Sequence, residues 1–110
     1  MSAAEHNRLT RRIVATLNSM PDCFAWKNET GASMRRGRTY FYGLKGSSDI
    51  VGLVDGFFFA LEVKTGSGRQ KSDQRHFEDR VNACGGLYGV VRSVDEALGL
   101  LHSWQQKMAV

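Results

Sequence analysis

The chain is poor in cysteine and proline and contains no long apolar run. Its 110 residues include two cysteines and one proline. Cys23 and Cys84 lack the close pairing of a zinc site, so we expect reduced thiols in the core rather than a disulfide or a metal cluster. No apolar stretch approaches the roughly 20 residues that span a bilayer, and residues 1–6 lack the apolar core of a signal peptide. These absences predict a cytoplasmic protein without a membrane partner.

Basic residues outnumber acidic ones, and most of them fall into two groups. The sequence has 15 Lys and Arg against 11 Asp and Glu, which gives a formal net charge of +4. The groups are Lys27, Arg35, Arg36, Arg38 and Lys45, interrupted only by Glu29, and Lys64, Arg69, Lys71 and Arg75, interrupted only by Asp73. Charge alone favours an ordinary solvated surface, but the same pattern also suits a protein that binds a polyanion.

Apolar periodicity and turn residues predict one α/β domain with a mixed central sheet flanked by helices. The predicted elements are a helix over 3–19, a strand over 23–26, an irregular glycine-punctuated segment over 28–47, strands over 49–54 and 57–64, a helix over 73–83 capped by Ser72, a strand over 87–91, and a last helix opened by Ser93. Within the irregular segment, residues 40–42 are expected to form a brief strand or an aromatic contact surface. Because a helix joins the strands over 57–64 and 87–91, these two strands should be parallel.

The most informative pattern is an aspartate followed by a hydrophobic hairpin that ends in a glutamate and a lysine. Asp49 begins an apolar strand, Asp55-Gly56 forms a turn, and the second strand ends at Glu62-Val63-Lys64. Side chains alternate between the faces of a strand, so Glu62 and Lys64 share a face while Val63 points away. Two carboxylates on an apolar sheet repel each other unless a cation joins them, which favours a divalent metal site beside Lys64.

Each of these residues also has a purely structural interpretation. Asp49 could cap the start of its strand, and Glu62 and Lys64 could form a surface pair, although the apolar strand beside them argues against it. Asp55 is expected to be structural because it sits in the turn. The histidines have no metal spacing and no paired nucleophile, so we predict no catalytic role for His6, His76 or His102, although His6 and His76 neighbour the candidate site on their helices.

Three segments together resemble the PD-(D/E)XK nuclease superfamily, and more narrowly its VRR-NUC (virus-type replication-repair nuclease) domain. They are Gly46-Ser47-Ser48-Asp49, Glu62-Val63-Lys64 and Gln74-Arg75-His76-Phe77. The resemblance covers roughly residues 3–92, and Ser48 stands where the superfamily often has proline. It implies a restriction-endonuclease-like core, with residues 1–110 as a single VRR-NUC-like domain of the size found as stand-alone proteins in phages and bacteria.

The resemblance implies cleavage of DNA phosphodiesters with Mg²⁺ or Mn²⁺ as the cofactor. Asp49 and Glu62 would be metal ligands, and the carbonyl of Val63 would be a third. Glu5 matches a position from which related nucleases supply another metal-linked carboxylate. Alternatively, Glu5 only completes a capping box with Ser2. Such oxygen ligands suit a hard divalent ion, whereas thiolates and paired histidines would indicate zinc.

The same resemblance assigns roles to a lysine and a glutamine. Lys64 would orient or deprotonate the attacking water and offset charge at the phosphate. Neighbouring carboxylates should raise the pKa of a lysine rather than lower it, so we favour the orienting role. Gln74, in the next helix, would face the site and steady the lysine or the water.

The expected partner is branched or structured DNA, such as a four-way junction, bound by a homodimer. One small protomer offers little surface for such a substrate, which is why two copies are expected. Residues predicted to contact DNA are Arg35, Arg36, Arg38, Lys45, Arg69 and Lys71. Two alternatives stay open: a non-catalytic DNA-binding module on a degenerate nuclease fold, and an RNA-directed enzyme on the same fold.

Overall fold

The computed structural model describes residues 2–109, which form three helices and six strands. The helices are α1 (Ala3–Leu17), α2 (Ser72–Ala83) and α3 (Val94–Met108). The strands are β1 (Cys23–Lys27), β2 (Gly31–Arg35), β3 (Arg38–Tyr42), β4 (Ile50–Val54), β5 (Phe57–Val63) and β6 (Leu87–Val91). The predicted helices and strands outside residues 28–47 are confirmed, although α1 ends at Leu17, two residues earlier than predicted.

A mixed four-stranded sheet forms the centre of the molecule, as predicted. Its strand order is β1-β4-β5-β6. The β1–β4 and β4–β5 pairs are antiparallel, whereas β5 and β6 are parallel, which confirms the expected crossover through α2. Asp55 and Gly56 join β4 to β5 with φ angles of 50° and 85°, the left-handed pair that an Asp-Gly hairpin turn requires.

One face of this sheet builds the hydrophobic core with α1 and α3. Alternation along β5 directs Phe59, Leu61 and Val63 to this face, and all three are buried. Ile13 of α1 and Leu101 of α3 pack against them and are fully buried. The core therefore fixes the position of the C-terminal end of β5 relative to the first helix.

The other face of the sheet is only partly covered. Helix α2 packs over β6 and buries Val81. The half of this face formed by β1, β4 and the start of β5 stays open, so Phe24, Leu53 and Phe58 are each more than 40% exposed. At the end of β5 this second face is closed over Glu62, which is 4% exposed.

The N-terminus of α2 differs from the prediction by one residue. Ser72 is the first helical residue, and Lys71 occupies the N-cap position that was assigned to Ser72. The side chain of Gln74 accepts a hydrogen bond from the backbone N–H of Lys71 (2.9 Å), so the helix start is stabilised from within its first turn. Ser93 does cap α3 as predicted, accepting a hydrogen bond from the backbone N–H of Glu96.

The segment over 28–47 is not irregular as predicted. It contains a two-stranded hairpin, β2–β3, separate from the central sheet and turned at Arg36-Gly37 with φ angles of 50° and 75°. All five residues of β3 are exposed. Strand β3 contains the brief strand expected at residues 40–42. With no buried face, the two strands carry no strict apolar–polar alternation, so the pattern of the sequence does not reveal the rest of the hairpin.

Two smaller expectations are also tested by the structure. Cys23 and Cys84 are free thiols, but Cys84 is exposed rather than in the core because it lies at the end of α2. None of the helices within residues 2–109 is long and apolar enough to cross a membrane.

Candidate functional site

A polar cavity of about 360 Å³ lies where the end of β5 meets the first turns of α1 and α2. Its lining includes Asp49, Glu62, Val63, Lys64 and Gln74. The tertiary structure thus brings five of the residues singled out in the sequence to one place.

The side chain of Asp49 is held at the end of β5 by a hydrogen bond to the strand's backbone. It directly precedes β4, and its Oδ2 accepts from the backbone N–H of Val63 at 2.8 Å. Its backbone carbonyl accepts from the backbone N–H of Asn28, also at 2.8 Å. The carboxylate is therefore fixed against the last residue of β5, and its second oxygen remains available to another partner.

Glu62 is a nearly buried carboxyl group next to Asp49. Its Oε2 is the one buried side-chain polar atom within residues 2–109 that has no hydrogen-bond partner. The pKa of Glu62 is raised from its ordinary 4.5 to about 9, first by burial and then by the neighbouring Asp49 carboxylate, while the charge of Lys64 acts in the opposite direction. Burial beside Asp49 therefore favours the protonated form of Glu62, and a cation bound next to it would favour the carboxylate instead.

His6 also lines the cavity, next to which its position in the first helix is predicted to lie. Its Nε2 lies 3.0 Å from the carbonyl oxygen of Val63 and 3.5 Å from Oδ2 of Asp49. A carbonyl can only accept, so this nitrogen carries a proton and donates to Val63. His6 therefore contacts two of the groups predicted as metal ligands.

Glu5 does not reach the cavity. Its side chain is exposed and lies beside Ser2, which caps α1 by accepting a hydrogen bond from the backbone N–H of Glu5 (3.1 Å). The buried face of α1 contains Thr10, Ile13 and Leu17, and a four-residue step back from Thr10 leads to His6 rather than Glu5. That spacing is the signal in the sequence that could have identified His6.

Lys64 and Gln74 line the cavity from two different elements, the end of β5 and the first turn of α2. The backbone N–H of Lys64 donates to the carbonyl of Val91 at 3.0 Å, so the pairing of β5 with β6 continues through this residue. Its side chain is half-buried and lines the cavity. The amide oxygen of Gln74 accepts from Lys71, so its NH₂ group is the part that can donate to another molecule in the cavity.

The structure explains why a glycine stands at position 46, three residues before Asp49. Gly46 has φ of +83°, and a Cβ atom at this position would lie 2.5 Å from the carbonyl oxygen of Asp73. A larger residue would push the Asp49 segment away from the start of α2. Gly46 thus permits the close approach that places Gln74 in the same cavity as Asp49.

Arg92 positions a loop at the edge of the cavity, a role that no sequence pattern indicated. Its Nη1 donates to the carbonyl of Gly66 at 2.9 Å and its Nη2 to that of Gly68 at 2.7 Å. Gly68 lines the cavity next to Lys64. A planar guanidinium can hold two backbone carbonyls at once, so it restrains the loop that follows β5.

The basic residues predicted to contact DNA lie outside the cavity in three places. Arg35, Arg36 and Arg38 cluster at the turn of the β2–β3 hairpin. Arg69 and Lys71 are exposed between Gly68 and Gln74, two residues that line the cavity. Lys45 is exposed at the end of the segment that returns from the hairpin.

The donors around the cavity fit a hard divalent cation. The carboxyl groups of Asp49 and Glu62 and the Val63 carbonyl offer oxygen ligands of the kind that Mg²⁺ and Mn²⁺ prefer, and Oε2 of Glu62 has no hydrogen-bond partner that a cation would have to displace. Over residues 2–109, no three His, Cys, Asp or Glu side chains group as a ready ligand set. A cation here would therefore be held by two side chains, a backbone carbonyl and water.

Comparison with known proteins does not identify a family for this chain. No protein-family model matches the chain, and no curated protein matches it.

Proposed function

We propose that this chain is a metal-dependent endonuclease of the PD-(D/E)XK superfamily, with a VRR-NUC-like domain that hydrolyses phosphodiester bonds in branched or structured DNA. One observation carries the proposal. The buried Glu62 carboxyl, with one oxygen unpartnered, lies next to Asp49 in a cavity that Lys64 also lines. Such a cluster is costly without a cation, and it suits a site that binds one.

The arrangement of elements around the cavity supports a nuclease core. An antiparallel hairpin carries Asp49 before its first strand and Glu62 near the end of its second. A parallel strand follows through a crossover helix, and that helix supplies Gln74 to the same cavity. This placement of two carboxylates, a lysine and a glutamine is the one that the resemblance to the superfamily implies.

The residues divide the work of hydrolysis between them. When bound, Mg²⁺ or Mn²⁺ would offset charge at the phosphate and lower the pKa of a coordinated water. Asp49 and Glu62 would hold the ion, and Glu62 would give up its proton when the ion binds. Lys64 would place a positive charge beside the phosphate and orient the water. The NH₂ group of Gln74 would donate to the water or to a phosphate oxygen.

The alternative is a DNA-binding module without catalysis, because the arginines at the turn of the β2–β3 hairpin lie outside the cavity and could bind DNA without it. Incubation of linear, flap and four-way junction DNA with and without Mg²⁺ or Mn²⁺ separates the two functions. The nuclease proposal expects cleavage that stops in EDTA. Binding of the same DNA without cleavage in either metal would establish the module instead, and cleavage confined to RNA would indicate the RNA-directed enzyme.

A homodimer is part of the proposal, because a junction presents two strands to be cut. The open half of the central sheet, where Phe24 is 61% exposed, offers apolar surface of the kind that interfaces bury. Light scattering at micromolar concentration tests this point. A mass equal to one chain would exclude the dimer without bearing on the cleavage chemistry.

A further inference from the structure

The β2–β3 hairpin has two different faces. Cross-strand pairs place Arg35 opposite Arg38, with Tyr40 and Tyr42 on the same side of the ribbon. We call these four residues the tyrosine–arginine face. The opposite side carries Met34 and Phe41, and Phe41 is 82% exposed.

The tyrosine–arginine face presents aromatic rings to solvent. Tyr40 and Tyr42 are each 51% exposed although they lie in a strand. The Tyr42 ring crosses over Gly31, where a Cβ atom would lie 2.5 Å from its hydroxyl oxygen. The absence of a side chain at Gly31 therefore lets this ring lie against the ribbon with its outer surface open.

The charge around this face is positive. Residues 30–47 contain no aspartate or glutamate, and the nearest acid, Glu29, is paired with Lys27 at 3.4 Å. Arg35 and Arg38 border the rings on the same side. Positive groups beside open aromatic rings are typical of surfaces that hold the backbone of a nucleic acid while its bases stack.

A second polar cavity shares Tyr42 with the tyrosine–arginine face and Asp49 with the candidate site. It measures about 320 Å³, and Asn28 and Glu29 also line it. Asn28, which precedes β2, is bonded to the residues that follow β3. Its Nδ2 donates to Ser47 Oγ at 2.8 Å and to the Ser48 carbonyl at 2.9 Å. The hairpin is thereby attached directly beside Asp49.

We propose that the tyrosine–arginine face binds an unpaired stretch of DNA, stacks its bases on Tyr40 and Tyr42, and directs the strand along the second cavity towards Asp49. Arg35 and Arg38 contact the phosphates. The substrate class is DNA in which a single strand adjoins a duplex, such as a flap or fork. This inference rests on the proposed function for the location of the cut, but its binding step does not require cleavage.

Fluorescence anisotropy with the full chain in EDTA tests the binding step. The probes are a labelled 12-nucleotide oligo-dT, a duplex of equal length, a flap combining the two, and an oligo-rU of the same length. Tyr40→Ala and Tyr42→Ala should each weaken oligo-dT and flap binding about 10-fold, the loss expected for one stacked base, and should change duplex binding far less. Tyr40→Phe should keep most of the affinity, because the ring remains.

Phe41→Ala is the matched control, since it removes an exposed ring from the opposite face of the same strand. It should leave all four affinities within about 2-fold, a change smaller than that of any stacked base. The inference is overturned if Phe41→Ala costs as much as Tyr40→Ala, if the tyrosine variants lose duplex and oligo-dT binding equally, or if oligo-dT does not bind. Tighter binding of oligo-rU than of oligo-dT would overturn the assignment to DNA.

Cleavage assays then separate this inference from the proposed function. If oligo-dT binding depends on the tyrosines but no DNA is cut in Mg²⁺ or Mn²⁺, the nuclease proposal fails and the binding surface stands. If DNA is cut and the tyrosine variants bind oligo-dT normally, the inference fails and the nuclease stands.

Discussion

The end of β5 and the β2–β3 hairpin carry the two sets of residues that stand out in the sequence, and they are built in opposite ways. At the end of β5, Glu62 is 4% exposed and Asp49 is hydrogen-bonded to the backbone of Val63. In the hairpin every residue of β3 is exposed, and the ribbon stands apart from the central sheet.

Under the proposed function, the buried end of β5 and the exposed hairpin suit two different roles, catalysis and substrate binding. A carboxyl group buried beside another carboxyl costs stability, and it is retained where charge must be placed accurately against a reacting group. An exposed ribbon of arginines and tyrosines has no such cost and can contact a large ligand over its length. Asn28 joins the two regions through hydrogen bonds to Ser47 and Ser48. Under the proposed function, mutations in one region should affect substrate contact and mutations in the other should affect cleavage.

The largest effect is expected from removing a carboxylate at the end of β5. Asp49→Asn or Glu62→Gln should reduce Mg²⁺-dependent cleavage at least about 1000-fold, since the ligands that hold the cation contribute several kcal/mol. Both changes preserve shape, so oligo-dT binding in EDTA should be unaffected. Asp79→Asn, an exposed acid on α2, is the control and should cut normally. Full activity of Glu62→Gln would remove the basis of the proposed function.

The next effect concerns the stability cost of Glu62. Because its pKa is raised to about 9 in the folded protein from an ordinary 4.5, the folded state binds the proton more tightly than the unfolded state. In the absence of metal, the contribution of Glu62 to the free energy of unfolding should therefore be constant below about pH 4.5, fall as the pH rises towards 9, and change no further above it.

Glu62→Gln should remove this dependence and stabilise the metal-free protein at pH 8 by on the order of 2 kcal/mol. Urea unfolding at pH 5, 7 and 9 measures it, and added Mg²⁺ should stabilise the wild type but not the variant. If the free energy of unfolding changes with pH in the same way for the wild type and Glu62→Gln, Glu62 does not destabilise the metal-free protein.

The connection between the regions is tested by Asn28→Ala. Loss of its two side-chain hydrogen bonds should cost about 1 kcal/mol each in unfolding free energy. Cleavage of flap DNA should fall about 10-fold through misplacement of the bound strand, while oligo-dT binding is retained. Asn7→Ala, which lines the same cavity from α1, is the control. Unchanged cleavage would show that the hairpin and the site act independently.

The smallest effect is expected at the hairpin turn. Arg35→Ala together with Arg36→Ala should reduce the slope of log affinity against log salt concentration by roughly one unit per lost phosphate contact. Arg11→Ala, an exposed arginine on α1, should leave the slope unchanged. An unaltered slope in the double variant would place the DNA on another surface, such as the one around Arg69 and Lys71.

Much of the central fold could be predicted because it follows from short-range rules. The Asp55-Gly56 turn between two apolar runs indicates the β4–β5 hairpin, and a helix between strands indicates that β5 and β6 are parallel. Five predicted residues meet in one cavity because they sit at strand and helix ends that this topology brings together. Their roles in catalysis and metal binding stay predictions.

The predictions from sequence are wrong where the structure has no buried face to impose an apolar–polar pattern. The β2–β3 hairpin packs mainly on itself, so nothing selects an alternating pattern, and its glycines suggest a loop. At α1, neighbouring positions 5 and 6 both border the apolar stripe, and a difference of 100° around the helix decides which enters the cavity. Ser2 engages Glu5 as a helix cap, and His6 faces Val63 instead.

The amino-acid sequence by itself determined the periodic elements, the hairpin with its Asp-Gly turn and the positions of the acids and the lysine along the chain, because these depend on neighbouring residues. Only the tertiary structure decided that Glu62 is buried with an unpartnered oxygen, that His6 lies between Asp49 and Val63, and that a polar cavity leads from Tyr42 to Asp49. Burial and electrostatic coupling arise between residues far apart in the chain, so they exist only once the helices have packed on the sheet.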